Sequence, residues 1–326
     1  MAVFATTIAG ASIASRASEP LNVIASTGII ADAAKQVGGE RATVKALIAV
    51  NVDPHSYRQT RSDIVALSKA DLILWNGLEL EEQLEDLMED MAKQKTVVAV
   101  AEQLPKSQLL ETVEEKGLHD HGHDHGHSHG AEDPHVWMSP RVWSRVVEVI
   151  RDAMIKAQPA SADIFKSNAE NYLKELTKLD SYAKKVLSSV PEQSRALITS
   201  HDAFSYLGAA YGYKVVGIQG ISTLNEPGLK RIADVAKMLA DNKVRSIFVE
   251  TSVAEDNVRA VIEGAAALGQ KVELGGSLFS GAMGEPGTYE GTYIGMMDHN
   301  VTLIARALGG TAPVKGMDGK LSLLAG

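Results

Sequence analysis

Histidine is the residue type with the most chemical potential in this chain of 326 residues, which has ten histidines and no cysteine. Imidazole is a good ligand for zinc, copper and nickel. The lack of cysteine excludes thiolate zinc sites, iron–sulfur clusters, disulfides and cysteine nucleophiles. A transition-metal site in this chain would therefore be built on imidazole.

Six of the ten histidines alternate with Asp, Gly and Ser within one segment, residues 119–129. Gly and Asp at alternate positions do not build a packed core, so the segment predicts a solvated loop. Closely spaced imidazoles raise the local ligand concentration, and we expect a low-affinity metal-collecting loop. A polar spacer is the alternative; the internal position and the aspartates argue against a cloning tag. The six residues are His119, His121, His123, His125, His127 and His129.

Three scattered histidines have settings that suit metal ligands better. His55 and His135 each follow an Asp-Pro pair, and His201 stands where an expected strand turns into a helix. Proline restricts the backbone before the imidazole, and a nearby carboxylate can orient the second ring nitrogen. Taken singly, each fits a hydrogen-bonded loop residue better than a ligand, and the repeated Asp-Pro-His context is what favours a metal site. His299 lacks such a setting, and we expect a surface or capping residue there.

The elements that would position these histidines alternate between strands and helices, which predicts an α/β fold with mostly parallel sheets flanked by helices. Ligands bind at the carboxyl ends of the strands in such sheets, so the three histidines should meet in a cleft between two lobes. The expected strands are Leu21–Ser26, Val44–Val50, Leu72–Trp75, Val97–Val100, Ala196–Thr199, Lys214–Ile218, Ser246–Val249 and Lys271–Leu274. The expected helices are Ile29–Val37, Arg61–Lys69, Glu79–Lys93, Ser161–Val190, Phe204–Tyr211, Gly228–Asn242 and Asn257–Leu268.

The chain divides into four expected parts. Residues 1–18 form a signal peptide that lacks its charged start, and residues 19–158 form the N-terminal lobe with the loop 119–129. Residues 159–190 form one linking segment, whose helix Ser161–Val190 should be about 45 Å long at about 1.5 Å per residue. Residues 191–326 form the C-terminal lobe. A disordered N-terminal tail is the alternative to the signal peptide.

Charge and hydropathy limit the partners and the location. The formal net charge is −9 and the aromatic content is 5%, which argues against nucleic acid and anionic membranes as main partners. The apolar leader is too short for a membrane span, and no other run in the chain approaches the roughly 18 apolar residues that a span needs. We therefore expect export to the periplasm without membrane insertion. The lack of cysteine further predicts a protein without a lipid anchor, and we expect a monomer.

Four segments together resemble the signature segments of one family, in the family's order: Asp53-Pro-His-Ser-Tyr57, Glu132-Asp-Pro-His-Val-Trp137, Thr199-Ser-His-Asp-Ala-Phe204 and Phe248-Val-Glu-Thr251. The family is the zinc and manganese substrate-binding proteins of bacterial ABC transporters, and the resemblance runs from about residue 20 to the C-terminus. It implies two α/β lobes joined by a rigid long helix, and a divalent metal bound in the cleft by His55, His135 and His201. It also implies delivery to a membrane permease and its ATPase.

One position departs from the family pattern. The family usually supplies a carboxylate in a segment like Leu278-Phe-Ser-Gly-Ala-Met283, where this chain has Gly281. Three imidazoles and a water still satisfy zinc, whereas manganese prefers oxygen ligands. We therefore expect zinc as the transported ligand, with manganese left open, and we expect Gly281→Asp to tighten binding. Glu285 or Glu290 could supply the missing ligand instead.

Two other functions fit parts of the pattern. Three histidines with a bound water also describe a zinc-dependent hydrolase. The chain lacks a His-Glu-x-x-His run, and Glu250 is the one buried-strand carboxylate that suits a general base, unless it caps a loop or helix. We therefore expect a protein that is not an enzyme. A metal buffer or surface adhesin without a transporter is the third hypothesis. In the transport hypothesis, affinity should fall below the ordinary histidine pKa of about 6.5.

Overall fold

A computed structural model describes residues 19–112 and 132–322 of the chain. The expected signal peptide and the histidine-rich segment 119–129 lie outside the described residues. None of the described helices is both long and apolar enough to cross a bilayer.

The N-terminal lobe is a four-stranded parallel sheet with helices on both faces. Its strand order is β2-β1-β3-β4. Helix α1 begins after Thr27, whose hydroxyl accepts the backbone N–H of Ile30, and so caps one of the free donors of the first turn. The elements are β1 (Leu21–Ala25), α1 (Gly28–Gly38), β2 (Ala42–Ala46), α2 (Arg61–Lys69), β3 (Leu72–Trp75), α3 (Glu85–Ala92) and β4 (Thr96–Ala99).

Two long helices follow, and the second of them joins the two lobes. Helix α4 (Pro140–Ala157) begins with proline, which suits the first helical position because its missing N–H would have no partner there. Helix α5 (Ala162–Leu187) has 26 residues and buries one apolar stripe along its length. At about 1.5 Å per residue it is about 39 Å long, shorter than the expected 45 Å because it begins one residue later than Ser161 and ends at Leu187 instead of Val190.

The C-terminal lobe contains two parallel strand pairs, β5–β6 and β7–β8, with β5 next to β7. The carboxyl ends of β5 and β7 therefore lie close together. Its elements are β5 (Ala196–Thr199), α6 (Ser205–Tyr211), β6 (Lys214–Gly217), α7 (Leu229–Asp241), β7 (Ser246–Glu250), α8 (Asp256–Ala267), β8 (Glu273–Leu278) and α9 (Tyr293–Ala307).

The expected α/β fold, with parallel sheets flanked by helices, is confirmed. The largest apolar core runs through both lobes, from Val23 in β1 through Trp143 in α4 and Leu176 in α5 to Ile304 in α9. Separating the lobes widely would expose this shared apolar surface to water, which is unfavourable. Motion that leaves the core intact is therefore confined to loops and small lobe displacements.

Strand β2 lies earlier in the chain than the expected Val44–Val50. The apolar residues Leu47 and Ile48 still donate their N–H groups to the carbonyls of Ala25 and Ser26, but the chain then turns away from the sheet. The expectation was wrong because β2 is a half-exposed edge strand, where a run of apolar residues does not mark the strand.

The expected helix Glu79–Lys93 is also wrong at its start, because α3 begins only at Glu85. Three consecutive residues, 77–79, have positive φ angles, which break a helix. This segment wraps around the buried carboxylate of Glu81, which accepts the N–H groups of Asn76 and Gly77 at 2.9 and 3.2 Å.

Strand β8 begins two residues later than the expected Lys271–Leu274 and ends at Leu278. The expectation was wrong because β8 contains two glycines, which are unusual within a strand. A Cβ at Gly275 would lie 2.7 Å from the Phe248 ring, and Gly276 has a φ of +126° beside an irregularity in the β7–β8 pairing. Glycine is usually depleted in strands, but here the close approach of Phe248 requires it. Helices α4 and α9 had no counterpart among the expected elements.

Candidate metal centre

The structure brings His55, His135 and His201 together in one buried cluster. The three residues are at most 2% exposed, and one ring nitrogen from each lies within 4.8 Å of the others. The Nε2 atoms of His55 and His135 are 3.2 Å apart. Two zinc–nitrogen bonds of about 2.0–2.1 Å at a tetrahedral angle place their nitrogens about 3.3–3.4 Å apart. This pair of nitrogens therefore has nearly the spacing that two ligands of one zinc ion require, and the third imidazole lies close enough to join them.

The two Asp-Pro-His segments form the same local turn. Oδ1 of Asp53 accepts the backbone N–H of His55 at 3.1 Å, and Oδ1 of Asp133 accepts that of His135 at 2.9 Å. This aspartate-to-backbone bond fixes the turn, and proline restricts the residue between. Both imidazoles are thereby turned inwards, His55 from the loop after β2 and His135 from the segment before α4.

A carboxylate contacts the outer ring nitrogen of two of the three histidines. Asp133 Oδ1 lies 2.8 Å from Nδ1 of His135, and Glu250 Oε2 lies 2.5 Å from Nδ1 of His201. Glu250, at the end of β7, also accepts the His201 backbone N–H at 2.9 Å. A carboxylate in this position holds the proton on Nδ1, so that the Nε2 lone pair is available to a metal.

His55 differs from the other two histidines. Its Nδ1 atom is buried, and among the described residues no carboxylate contacts it, whereas one lies at Nδ1 of each of the other two. The imidazole is positioned by its backbone turn and contacts the other two rings, whose centroids lie 5.3 and 5.8 Å away. It is therefore the least firmly oriented of the three.

Burial determines the protonation of the cluster. It lowers the pKa of His55 and His135 well below 6.5, and the neighbouring imidazoles act in the same direction. Burial also acts to lower the pKa of His201, but the Glu250 carboxylate outweighs it and raises that pKa. Burial raises the pKa of Asp133 to about 7. At neutral pH, at least two imidazoles are neutral and able to bind a cation.

Gly281 packs against Pro54, the residue that precedes His55. A Cβ at this position would lie 2.7 Å from Cδ of Pro54 and 3.6 Å from Oγ of Ser252. Among the described residues, the potential ligand cluster has no carboxylate member. Glu290 instead binds the N–H and the hydroxyl of Ser322, at 2.7 and 2.5 Å.

The remaining histidines lie elsewhere. His299 is part of α9, where Nε2 contacts the carbonyl of Ser277 at 3.0 Å and the ring meets the edge of Phe279. It is half-buried and lies inside the helix, so the capping alternative was wrong. The six histidines of residues 119–129 lie outside the described residues.

Two residues that support the backbone around His135 were not predicted from the sequence. The indole N–H of Trp137 donates to the carbonyl of Ser280 at 2.8 Å, and its ring lies 5.2 Å from that of His135. Asn76 donates from Nδ2 to the carbonyl of Pro134 at 3.1 Å. Both hold the backbone around His135. Trp137 stands inside the motif of His135, which is a usable signal, whereas Asn76 has none.

A family profile described as "ZnuA: Zinc-uptake complex component A periplasmic" matches residues 23–307 of the chain. The manganese-binding lipoprotein MntA of Bacillus subtilis (strain 168) is 41% identical over 308 residues, which is 94% of this chain and 96% of that protein. The zinc-binding protein TroA of Treponema pallidum (strain Nichols) is 38% identical over 286 residues, which is 88% of each chain.

The fold agrees with solved structures of such proteins. The structure of the periplasmic zinc-binding protein TroA from Treponema pallidum superposes with a TM-score of 0.82 and 38% sequence identity. The match covers 89% of this chain and 99% of that chain.

Proposed function

Because this chain belongs to the ZnuA family of periplasmic zinc-uptake components, we propose that it captures a divalent metal ion for an ABC importer. The metal would bind to His55, His135 and His201 and then pass to the membrane permease that the ATPase drives. The observation that carries the proposal is the buried triad of imidazoles, two of them backed by carboxylates. Such outer carboxylates orient metal-binding histidines and raise their basicity.

Zinc is the proposed cargo. The ligand cluster contains three nitrogens and no carboxylate, a set that suits zinc better than manganese. The similar proteins bear names of both kinds, zinc-binding for TroA and manganese-binding for MntA. The preference for zinc therefore rests on the donor set of this chain.

We propose binding without chemistry on the cargo. Glu250, the candidate general base of a hydrolase, contacts the outer nitrogen and the backbone of His201. It therefore lies behind an imidazole and serves to orient it, and it is not positioned beside a metal-bound water. A turnover assay of the zinc-loaded protein with ester and peptide substrates tests this, and zinc-dependent turnover would contradict it.

The location follows the family. We propose that the protein acts outside the cytoplasm, as the family description says of its members, and that it works as a monomer. The absence of a lipid anchor stays a prediction, because the Bacillus subtilis relative is named a lipoprotein. The metal-collecting role of residues 119–129 also stays a prediction.

Two histidine variants test the site. His55→Ala removes a proposed ligand that has no side-chain partner outside the cluster, and His299→Ala removes a histidine outside it. Competition titration against a zinc chelator should show one tight zinc in the wild type and in His299→Ala, and loss of tight binding in His55→Ala. Tight binding that survives His55→Ala would overturn the proposal.

A further inference from the structure

The two Asp-Pro-His turns use their aspartates differently. In the second turn, Asp133 supports both the backbone and the ring of His135. In the first turn, Asp53 supports only the backbone of His55, and its second carboxylate oxygen points away from the imidazole. The sequence is the same, but one ligand is fixed by its own aspartate and the other is not.

The second oxygen of Asp53 binds the opposite lobe. Oδ2 accepts a hydrogen bond from the hydroxyl of Thr223, which lies in the loop between β6 and α7. The two residues are 170 positions apart, and both are partly buried. This contact joins the turn that carries His55 to the C-terminal lobe.

We propose that Thr223 is a positioning residue that holds Asp53, and through it His55, in the metal-binding position. The bond acts as a latch between the lobes, and its breakage allows His55 to leave the metal first. The inference rests on the proposed metal-capture function and specifies which ligand controls release.

The support around each ligand favours His55 as the mobile one. His135 is next to Val136 and Trp137, which are part of the core shared by both lobes, and His201 is held by Glu250 at the end of β7. Freeing either would disturb packed apolar residues or a buried carboxylate. Among the described residues, no carboxylate contacts Nδ1 of His55, whereas Asp133 and Glu250 contact the corresponding atoms of the other two histidines.

The loop that carries Thr223 is able to move without opening the core. Its next residue, Leu224, is 40% exposed, and residues 224–226 are exposed in sequence. The base of the loop is fixed, because the Arg231 guanidinium donates to the carbonyl of Gly217 at 2.6 Å. Displacement of this loop would break the Asp53–Thr223 bond together with two further bonds, from Gln219 to the carbonyl of Asn225 at 3.3 Å and from Asn257 to Glu226 at 2.8 Å, and would leave the apolar core intact.

Thr223→Val tests the latch because it removes the hydroxyl and keeps the shape. Zinc release from the full-length protein is measured by stopped flow with an excess of chromogenic chelator. Hydrogen bonds to a charged group stabilise enough that their loss should speed release about tenfold. Thr223→Ser, which keeps the hydroxyl, should release zinc at nearly the wild-type rate.

The controls separate the latch from general damage and from the proposed function. Ser222→Ala changes the neighbouring residue, whose hydroxyl accepts only the N–H of Leu224, and should leave release unchanged. Thr223→Ala provides a second hydroxyl-free variant in case valine disturbs the loop. Wild-type release rates in both hydroxyl-free variants would overturn the latch, even if zinc binds tightly. A wild-type protein without tight zinc would instead overturn the proposed function.

Discussion

Replacing Gly281 with aspartate should have two opposing effects on zinc affinity, one from an added ligand and one from a steric clash. The family pattern suggests that an aspartate here would add a metal ligand, which predicts tighter binding. A Cβ at this position would however lie 2.7 Å from the Pro54 ring, whereas an ordinary contact begins at 3.4 Å. Pro54 is rigid and directly precedes His55, so the added atom should displace that ligand.

The size of the steric effect is measurable with Gly281→Ala, which adds the Cβ without a ligand. Overpacking of this kind costs about 1–3 kcal/mol, which corresponds to a weakening of about fivefold to about 150-fold in zinc affinity. Gly281→Asp suffers the same clash but gains an oxygen ligand. A carboxylate that only hydrogen-bonds to a metal ligand contributes about 10–100-fold to metal affinity. An aspartate that binds the metal directly should therefore make the aspartate variant bind zinc at least about tenfold more tightly than the alanine variant.

The assay is competition titration of zinc against a chelator for the wild type, Gly281→Ala and Gly281→Asp, with thermal unfolding of each metal-free protein. If Gly281→Ala matches the wild type in both zinc affinity and stability, the close contact with Pro54 is refuted. If Gly281→Asp matches Gly281→Ala in zinc affinity, position 281 is not part of the metal site. Because oxygen ligands suit manganese, the aspartate variant should also gain manganese affinity relative to alanine.

The buried titratable residues support three further predictions. Glu250→Gln should weaken zinc binding about 10–100-fold in the same titration, because the amide cannot hold the Nδ1 proton of His201 as a carboxylate does; unchanged affinity would mean that Glu250 does not orient the ring. Because burial lowers the pKa of His55 and His135 well below 6.5, zinc binding near pH 6 should displace fewer than three protons, and a slope of three in log Kd against pH would contradict this. Burial raises the pKa of Glu81 from 4.5 to about 7, so the folded state holds this proton more tightly than the unfolded state, and the resulting stability is lost as pH rises towards 7. Glu81→Gln removes this titration. Measured by chemical unfolding of the metal-free proteins, the stability of the variant relative to the wild type should therefore rise by up to about 3 kcal/mol between about pH 4.5 and 7. A stability difference that does not change with pH would be inconsistent with a buried carboxyl of raised pKa.

The residues that the sequence analysis identified best were those with a local signature. The repeated Asp-Pro-His context and the strand-to-helix turn at His201 brought all three clustered histidines to attention, because these turns are formed by neighbours in the chain. Glu250 was also noticed, but as a candidate base, since only the tertiary structure shows that it lies behind His201.

Long-range contacts could not be derived from the sequence. The different use of Asp53 and Asp133 depends on Thr223, which is 170 residues away from Asp53, and nothing in the local sequence indicates that bond. The two glycines of β8 likewise suggested a loop, because the sequence does not show that the ring of Phe248, from another strand, packs closely against Gly275. Local turn chemistry was therefore predictable, and packing between distant segments was not.

The central claim is that three buried imidazoles, and not the histidine-rich segment, bind the cargo. Residues 119–129 can be deleted because the chain enters and leaves this region at one place, where Glu111 and Glu132 form an antiparallel bridge. The decisive measurement is the stoichiometry of tightly bound zinc in this deletion variant after equilibrium dialysis. One zinc per chain is the predicted result, and a deletion variant without tightly bound zinc would contradict the claim.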